Sequence, residues 1–303
     1  MLQTIEQLNQ RFGIPGQLQI TTGKGGFPFI EVNNAIAQAT ICLYGGQILS
    51  YRPLHEPEDL FFQTEHAFYQ MGKAIKGGAP ICWPWFGPDP ESKGRPNHGF
   101  ARDRLWSLTH TSATPEGDTR LTLELAPSPE TQALWTPDLQ LQLTLTLGES
   151  LTLALNTHNP SAQSVTLTQA LHSYFRVGDI RQVHILGLDG REYIDKVDQG
   201  ALKPQTGVVT IAAEVDRIYT QVPAKLVIED AALERRILIS NTNSATTVVW
   251  NPWIEQARKA ADLADEDYQQ FLCVETANIG EDCVRLSSGA FRCLTTHYTI
   301  ERD

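Results

Sequence analysis

Residues 139–155 read LQLQLTLTLGESLTLAL. Leucine holds every odd position from Leu139 to Leu147 and again from Leu151 to Leu155, with Gln, Thr or Ala between. Successive side chains of a strand point to opposite faces, so this period of two predicts a hairpin with one leucine face buried and one polar face outward. Gly148-Glu149-Ser150 supplies the short turn between the two strands of a half-buried antiparallel sheet.

Working outward, the same alternation returns in shorter runs: RLTLELA (120–126), SVTLTQAL (164–171), QVHILGL (182–188), KLVIED (225–230), RILIS (236–240), TTVVW (246–250) and FLCVE (271–275). Clusters of Gly, Pro, Asn and Asp separate them, as turns between strands require. Helical spacing is confined to Leu2, Ile5, Leu8 and Phe12, and to WIEQARKAADLAD (253–265). So many strands with so few helices predict an all-β fold of packed antiparallel sheets with peripheral helices. No internal repeat, low-complexity tract or long linker divides the 303 residues, so a single domain over 1–303 is expected.

Lys and Arg total 24 against 35 Asp and Glu, a net charge of −11. That balance opposes the broad positive field that nucleic acid or an anionic membrane attracts, so neither is an expected partner. The N-terminal MLQTIEQLNQRFG lacks the basic and apolar regions of a signal peptide, and no long apolar run predicts a membrane span. Five widely spaced cysteines without a CxxC argue against a disulfide framework and a structural zinc site, so a cytoplasmic chain is expected.

Two residues stand out from their strands. In SVTLTQALHSYF the apolar parity of Val165, Leu167 and Leu171 puts Thr166, Thr168, Ala170 and His172 on the opposite face. His172 then ends a strand beside Tyr174 and Phe175, and periodicity leaves open a rim histidine or a site. Glu275 shares parity with Phe271 and Cys273, where a carboxylate is costly to desolvate unless it is hydrogen-bonded or placed in a cleft. An exposed strand end is its other reading. Asp216 beside Arg217 reads locally as a surface pair of little value. The stretch 75–102 joins Lys76, Gly77-Gly78, the aromatic run Trp83-Pro84-Trp85-Phe86, and Asn97, His98 and Arg102. Its glycines permit close backbone approach and its prolines stiffen it. Trp83 and Phe86 read as rings capping the core in preference to stacking on a ligand. Elsewhere, GKGG (23–26) lacks phosphate-loop spacing and reads as a turn, while His55, His66, His110 and His297 read as solvated rings.

KAIKGGAPICWPWFG, NHGFARDRLW, LTQALHSYF, DRIY and CVETANI, in this order along the chain, together resemble the aldose 1-epimerase superfamily, in its hexose-6-phosphate mutarotase branch, from about Phe29 to about Ile300. The resemblance implies a galactose-mutarotase-like β-supersandwich with a shallow sugar site on one sheet face. It implies His172 and Glu275 as catalytic residues, Asp216 as a hydroxyl-binding carboxylate, and Arg102 and Lys76 as substrate and phosphate contacts. Asn97 and His98, in the same motif as Arg102, join the expected substrate-binding set. The family more often carries Arg where this chain has Lys76, which replaces a planar fork with a mobile point charge. Interconversion of α and β anomers of a hexose 6-phosphate is implied, with glucose 6-phosphate as substrate; no metal-ligand spacing is present, so no metal or organic cofactor is expected, and a monomer is expected.

Opening a hemiacetal removes the C1 hydroxyl proton and protonates the ring oxygen, so two proton-transfer groups on opposite sides suffice. The expected resting state is ionised Glu275 with charged His172, each favouring the other's charge. A binding module that moves no proton and a mutarotase for free hexoses are the alternatives.

Overall fold

The computed structural model describes residues 3–302. The strands Gln140–Leu147 and Leu151–His158 form the expected hairpin, with Leu147 opposite Leu151, Leu145 opposite Leu153 and Leu143 opposite Leu155. All these leucines are buried, each contributing about 1.5–3 kcal/mol relative to exposure. The hairpin lies within a nine-stranded antiparallel sheet that also holds Ser107–Ala113, Thr119–Leu125, Phe291–Glu301, Arg235–Thr242, Lys225–Asp230, Val183–Leu186 and Val209–Thr210.

An eight-stranded antiparallel sheet packs against its leucine face. Its strands include, in order, Glu192–Asp195, Val215–Thr220, Thr246–Asn251, Phe271–Asn278, Gln169–Leu171 and, at the edge, Ile81–Cys82. One face of this sheet, with Leu171, Val249, Leu272 and Val274, joins the leucines in the main core. The period of two sends the intervening residues to the other face, away from that core. A four-stranded sheet (Leu18–Thr22, Pro28–Asn33, Ala37–Cys42, Gln47–Pro53) completes the larger layers, and Val165–Leu167 pairs separately with Val284–Leu286.

Three local departures from the sequence reading have physical causes. The run 164–171 is two short strands, because the Thr168 N–H donates to the Pro84 carbonyl and its hydroxyl accepts from the Phe86 N–H, so a loop takes bonds a ladder would use. The helix expected over 253–265 spans Trp253–Lys259; beyond it Leu263 is buried against Phe62, Tyr174, Phe271 and Cys273, so packing overrides helix propensity. Asp216 and Arg217 do not pair. They point to opposite faces of Val215–Thr220, and Arg217 instead bonds Gln205 and Tyr219 and lies over the Tyr193 ring. The N-terminal helix is Ile5–Phe12, started by a capping box between Thr4 and Gln7, and the Leu2 of its expected pattern lies outside the described residues.

Candidate active site

The core-averted face of the eight-stranded sheet is the floor of a cavity of about 570 Å³. Strand register sets Ile218, Val248 and Glu275 in one row across it, with Asp216, Trp250 and Cys273 in the next. Glu275 therefore reaches the cavity because it alternates with Val274, which is in the core. His172 follows Gln169–Leu171 directly, its N–H donating to the Pro80 carbonyl at 2.9 Å, and its ring stacks on Tyr174 with centroids 4.9 Å apart.

These placements bring His172 Nε2 to 3.2 Å from Glu275 Oε1. Both side chains are almost wholly buried, and the second carboxylate oxygen of Glu275 has no hydrogen-bond partner. Such an orphaned acceptor is costly unless a ligand hydroxyl meets it. Burial, aided by the Asp216 charge, pushes the Glu275 carboxyl well above its ordinary range. Burial, aided by the Arg102 and Lys76 charges, pushes the His172 imidazole well below its own. Both shifts disfavour the charged forms, so the resting pair is a protonated carboxyl donating to a neutral imidazole. This differs from the charged pair expected from sequence, because desolvation of two fully buried groups outweighs their mutual attraction. The two groups also stand side by side, not on opposite sides of the hollow.

The substrate-binding residues expected from sequence, Lys76, Asn97, His98, Arg102 and Asp216, line the same cavity. Gly78 lets Lys76 arrive there: it has a φ of 64°, and a β-carbon on it would collide with the Ile48 carbonyl oxygen. Arg102 donates to the Asn97 carbonyl at 2.9 Å, so the Asn97 backbone helps to fix the guanidinium. Asp216 is half-buried, and burial raises its carboxyl pKa while the rim cation Lys196 opposes the rise. The aromatic run divides. Trp83 and Trp85 lie in the core, whereas Phe86 caps the buried cluster of Cys82, Ala170 and Ala277, as expected, and also lines the cavity, where it meets the His98 ring edge-on.

His98 is left-handed, with a φ of 63°, and is held by two bonds to Gly87: its N–H donates to the Gly87 carbonyl, and its Nδ1 accepts from the Gly87 N–H. The acceptor role of Nδ1 places the proton on Nε2. Burial, then the Arg102 charge, lowers its pKa from 6.5 to about 3. Between those values the unfolded chain binds the proton and the folded chain does not, so this group's contribution to stability is complete above 6.5 and lost as pH falls. His98→Asn, which tolerates the left-handed backbone, is expected to remove about 2 kcal/mol of the stability difference between pH 7.5 and pH 5. Urea unfolding of both proteins at the two pH values checks this, and an unchanged pH dependence contradicts it.

Sequence patterns missed Trp250, Lys196 and Asp262 on the cavity wall. Trp250 had a usable signal, since it shares parity with Val248 in TTVVW, but Lys196 and Asp262 lie outside strands and carry none. Cys82 and Cys273 lie near the floor, and burial pushes both thiols up, away from thiolate chemistry. Among the described residues no group of three or more His, Cys, Asp or Glu side chains is arranged to hold a metal ion.

Residues 28–299 match the family model for aldose 1-epimerase. A relative in Escherichia coli (strain K12), named "Putative glucose-6-phosphate 1-epimerase", is 37% identical over 253 residues, covering 83% of each chain. Its namesake in Salmonella typhimurium is 38% identical over 250 residues, covering 82% of each. Among solved structures, one described as a "putative mutarotase" from Salmonella typhimurium superposes with a TM-score of 0.89 at 31% identity over 96% of both chains. A galactose mutarotase related enzyme from Lactobacillus acidophilus shares the fold, with a TM-score of 0.71 at 14% identity over 90% of this chain and 97% of that one.

Proposed function

The chain belongs to the aldose 1-epimerase family, its activity is the interconversion of sugar anomers, and we propose that its substrate is a hexose 6-phosphate and that Glu275 and His172 move the protons. The observation that carries this reading is the 3.2 Å contact between a buried carboxyl and a buried imidazole on the cavity floor. A hemiacetal carbon bears its hydroxyl and its ring oxygen side by side, so adjacent proton-transfer groups suit it.

Between them the two residues hold one proton. With the closed ring bound, that proton moves from Glu275 to His172, leaving a carboxylate base and an imidazolium acid. Glu275 then takes the C1 hydroxyl proton as His172 protonates the ring oxygen; the bond from C1 to the ring oxygen breaks and an aldehyde forms. The pair is now a protonated carboxyl beside a neutral imidazole, which is the resting form favoured by burial. Rotation about the bond between C1 and C2 and the reverse transfers close the other anomer, with no net gain or loss of protons. Asp216 accepts a sugar hydroxyl, and neutral His98 donates through Nε2.

Lys76 and Arg102 line the cavity, and in this reading each meets the phosphate as a charge-assisted donor. Glucose 6-phosphate is accordingly the expected substrate, and a higher kcat/KM for it than for glucose in NMR anomer-exchange measurements tests this. Equal values support the free-hexose reading, and sugar binding without faster exchange supports a binding module. Lys76→Ala is expected to raise KM for glucose 6-phosphate about tenfold and KM for glucose little, since only the phosphate loses a charged partner. An equal rise for both sugars removes Lys76 from the phosphate site.

The reading extends to a cytoplasmic, monomeric, single-domain enzyme without nucleic-acid or membrane partners. Five free cysteines and the net charge of −11 support it, and among the described residues no helix is long and apolar enough to cross a membrane.

A further inference from the structure

The two cavity cations assigned above to the phosphate differ in one respect. Arg102 donates to a neutral carbonyl and, among the described residues, has no carboxylate within ion-pair distance, whereas Lys76 Nζ lies 3.0 Å from Asp262 Oδ1. Both members of that ion pair line the cavity and are about one-fifth exposed (20% for Lys76 and 23% for Asp262), so solvent screens them only in part. Asp262 is held in place by its surroundings. It lies beyond the end of the helix Trp253–Lys259 and directly precedes the buried Leu263, whose side chain packs against Phe62, Tyr174, Phe271 and Cys273. The residue after Leu263 is tied as well, the Ala264 N–H donating to the Asp267 carboxylate at 2.8 Å.

We propose that Asp262 is a specificity-determining residue, a carboxylate that competes with the substrate's phosphate for Lys76 and limits the preference for phosphorylated over free hexose. This rests on the reading of Lys76 as a phosphate contact. An ammonium is a compact point charge, so the charge that Asp262 neutralises is not available in full to a second anion. A phosphate dianion arriving at Lys76 also meets the repulsion of the fixed carboxylate, which a neutral hexose does not feel. Arg102 supplies attraction without this opposition. The chain thus recognises phosphate with one unopposed cation and one opposed cation.

Asp262→Asn keeps the shape of the side chain and removes its charge. The ratio of kcat/KM for glucose 6-phosphate to that for glucose is expected to rise about tenfold, chiefly through a lower KM for the phosphorylated sugar. Asp262→Glu restores a carboxylate and is expected to return the ratio towards the wild-type value. Unfolding midpoints of both variants identify any loss that comes from failure to fold. A folded Asp262→Asn protein with an unchanged ratio overturns the proposal. A fall in the ratio also overturns it, and assigns Asp262 to orienting Lys76 instead. If wild-type protein accelerates exchange of glucose but not of glucose 6-phosphate, the phosphate reading itself fails, a result distinct from either.

Discussion

Glu275→Gln is expected to keep sugar binding while lowering kcat for anomer exchange about 10²- to 10⁴-fold, the usual contribution of one general base. The amide matches the carboxyl in size, and it can still donate to His172 Nε2 across the space now spanned at 3.2 Å. It cannot accept the C1 hydroxyl proton. Because the site is buried and its strand is paired on both sides, the replacement has little room to adopt another position. Exchange NMR at saturating glucose 6-phosphate reads kcat, and titration of the variant reads binding. Wild-type exchange rates in the variant contradict the assignment of the base.

The second large effect is expected at His172. His172→Gln removes the acid that protonates the ring oxygen, and a loss of about 10²- to 10⁴-fold in kcat follows from the same reasoning. The pH profile separates a chemical role from a structural one. In the wild type the active form is the pair with one proton. It gains a second only well below the ordinary imidazole range and loses its own only well above the ordinary carboxylate range, so kcat/KM is level between those limits. Without His172 the Glu275 proton has no acceptor, and only the ionised carboxylate works as a base. Residual activity of His172→Gln is therefore expected to rise with pH through the raised pKa of Glu275, where the wild type falls as the pair loses its one proton. A wild-type profile at reduced amplitude would falsify the shared-proton account.

The sheet structure was legible because leucine alternation is a local pattern. Leu139 to Leu155 specify strand, face and hairpin without reference to the rest of the chain, and the register of the two strands follows. The parity of Glu275 with Cys273 identified the sheet face correctly for the same reason. What parity could not supply was distance along that face. His172 and Glu275 are neighbours because Gln169–Leu171 pairs with Phe271–Asn278, a contact between segments far apart along the chain, and only the family resemblance joined them beforehand. Protonation was still less accessible. Local reasoning favoured two mutually stabilising charges, whereas complete burial of both groups reverses the preference. Asp262 was hidden inside a helical pattern, and its role depends on the chain leaving the helix after Lys259.

A crystal structure of Glu275→Gln with glucose 6-phosphate tests the central claim most directly, since the slowed variant holds the closed ring in place. The account predicts the ring oxygen at His172 Nε2, the C1 hydroxyl at residue 275, and the phosphate at Lys76 and Arg102. A sugar bound with C1 turned away from both residues, or held elsewhere on the protein, contradicts it.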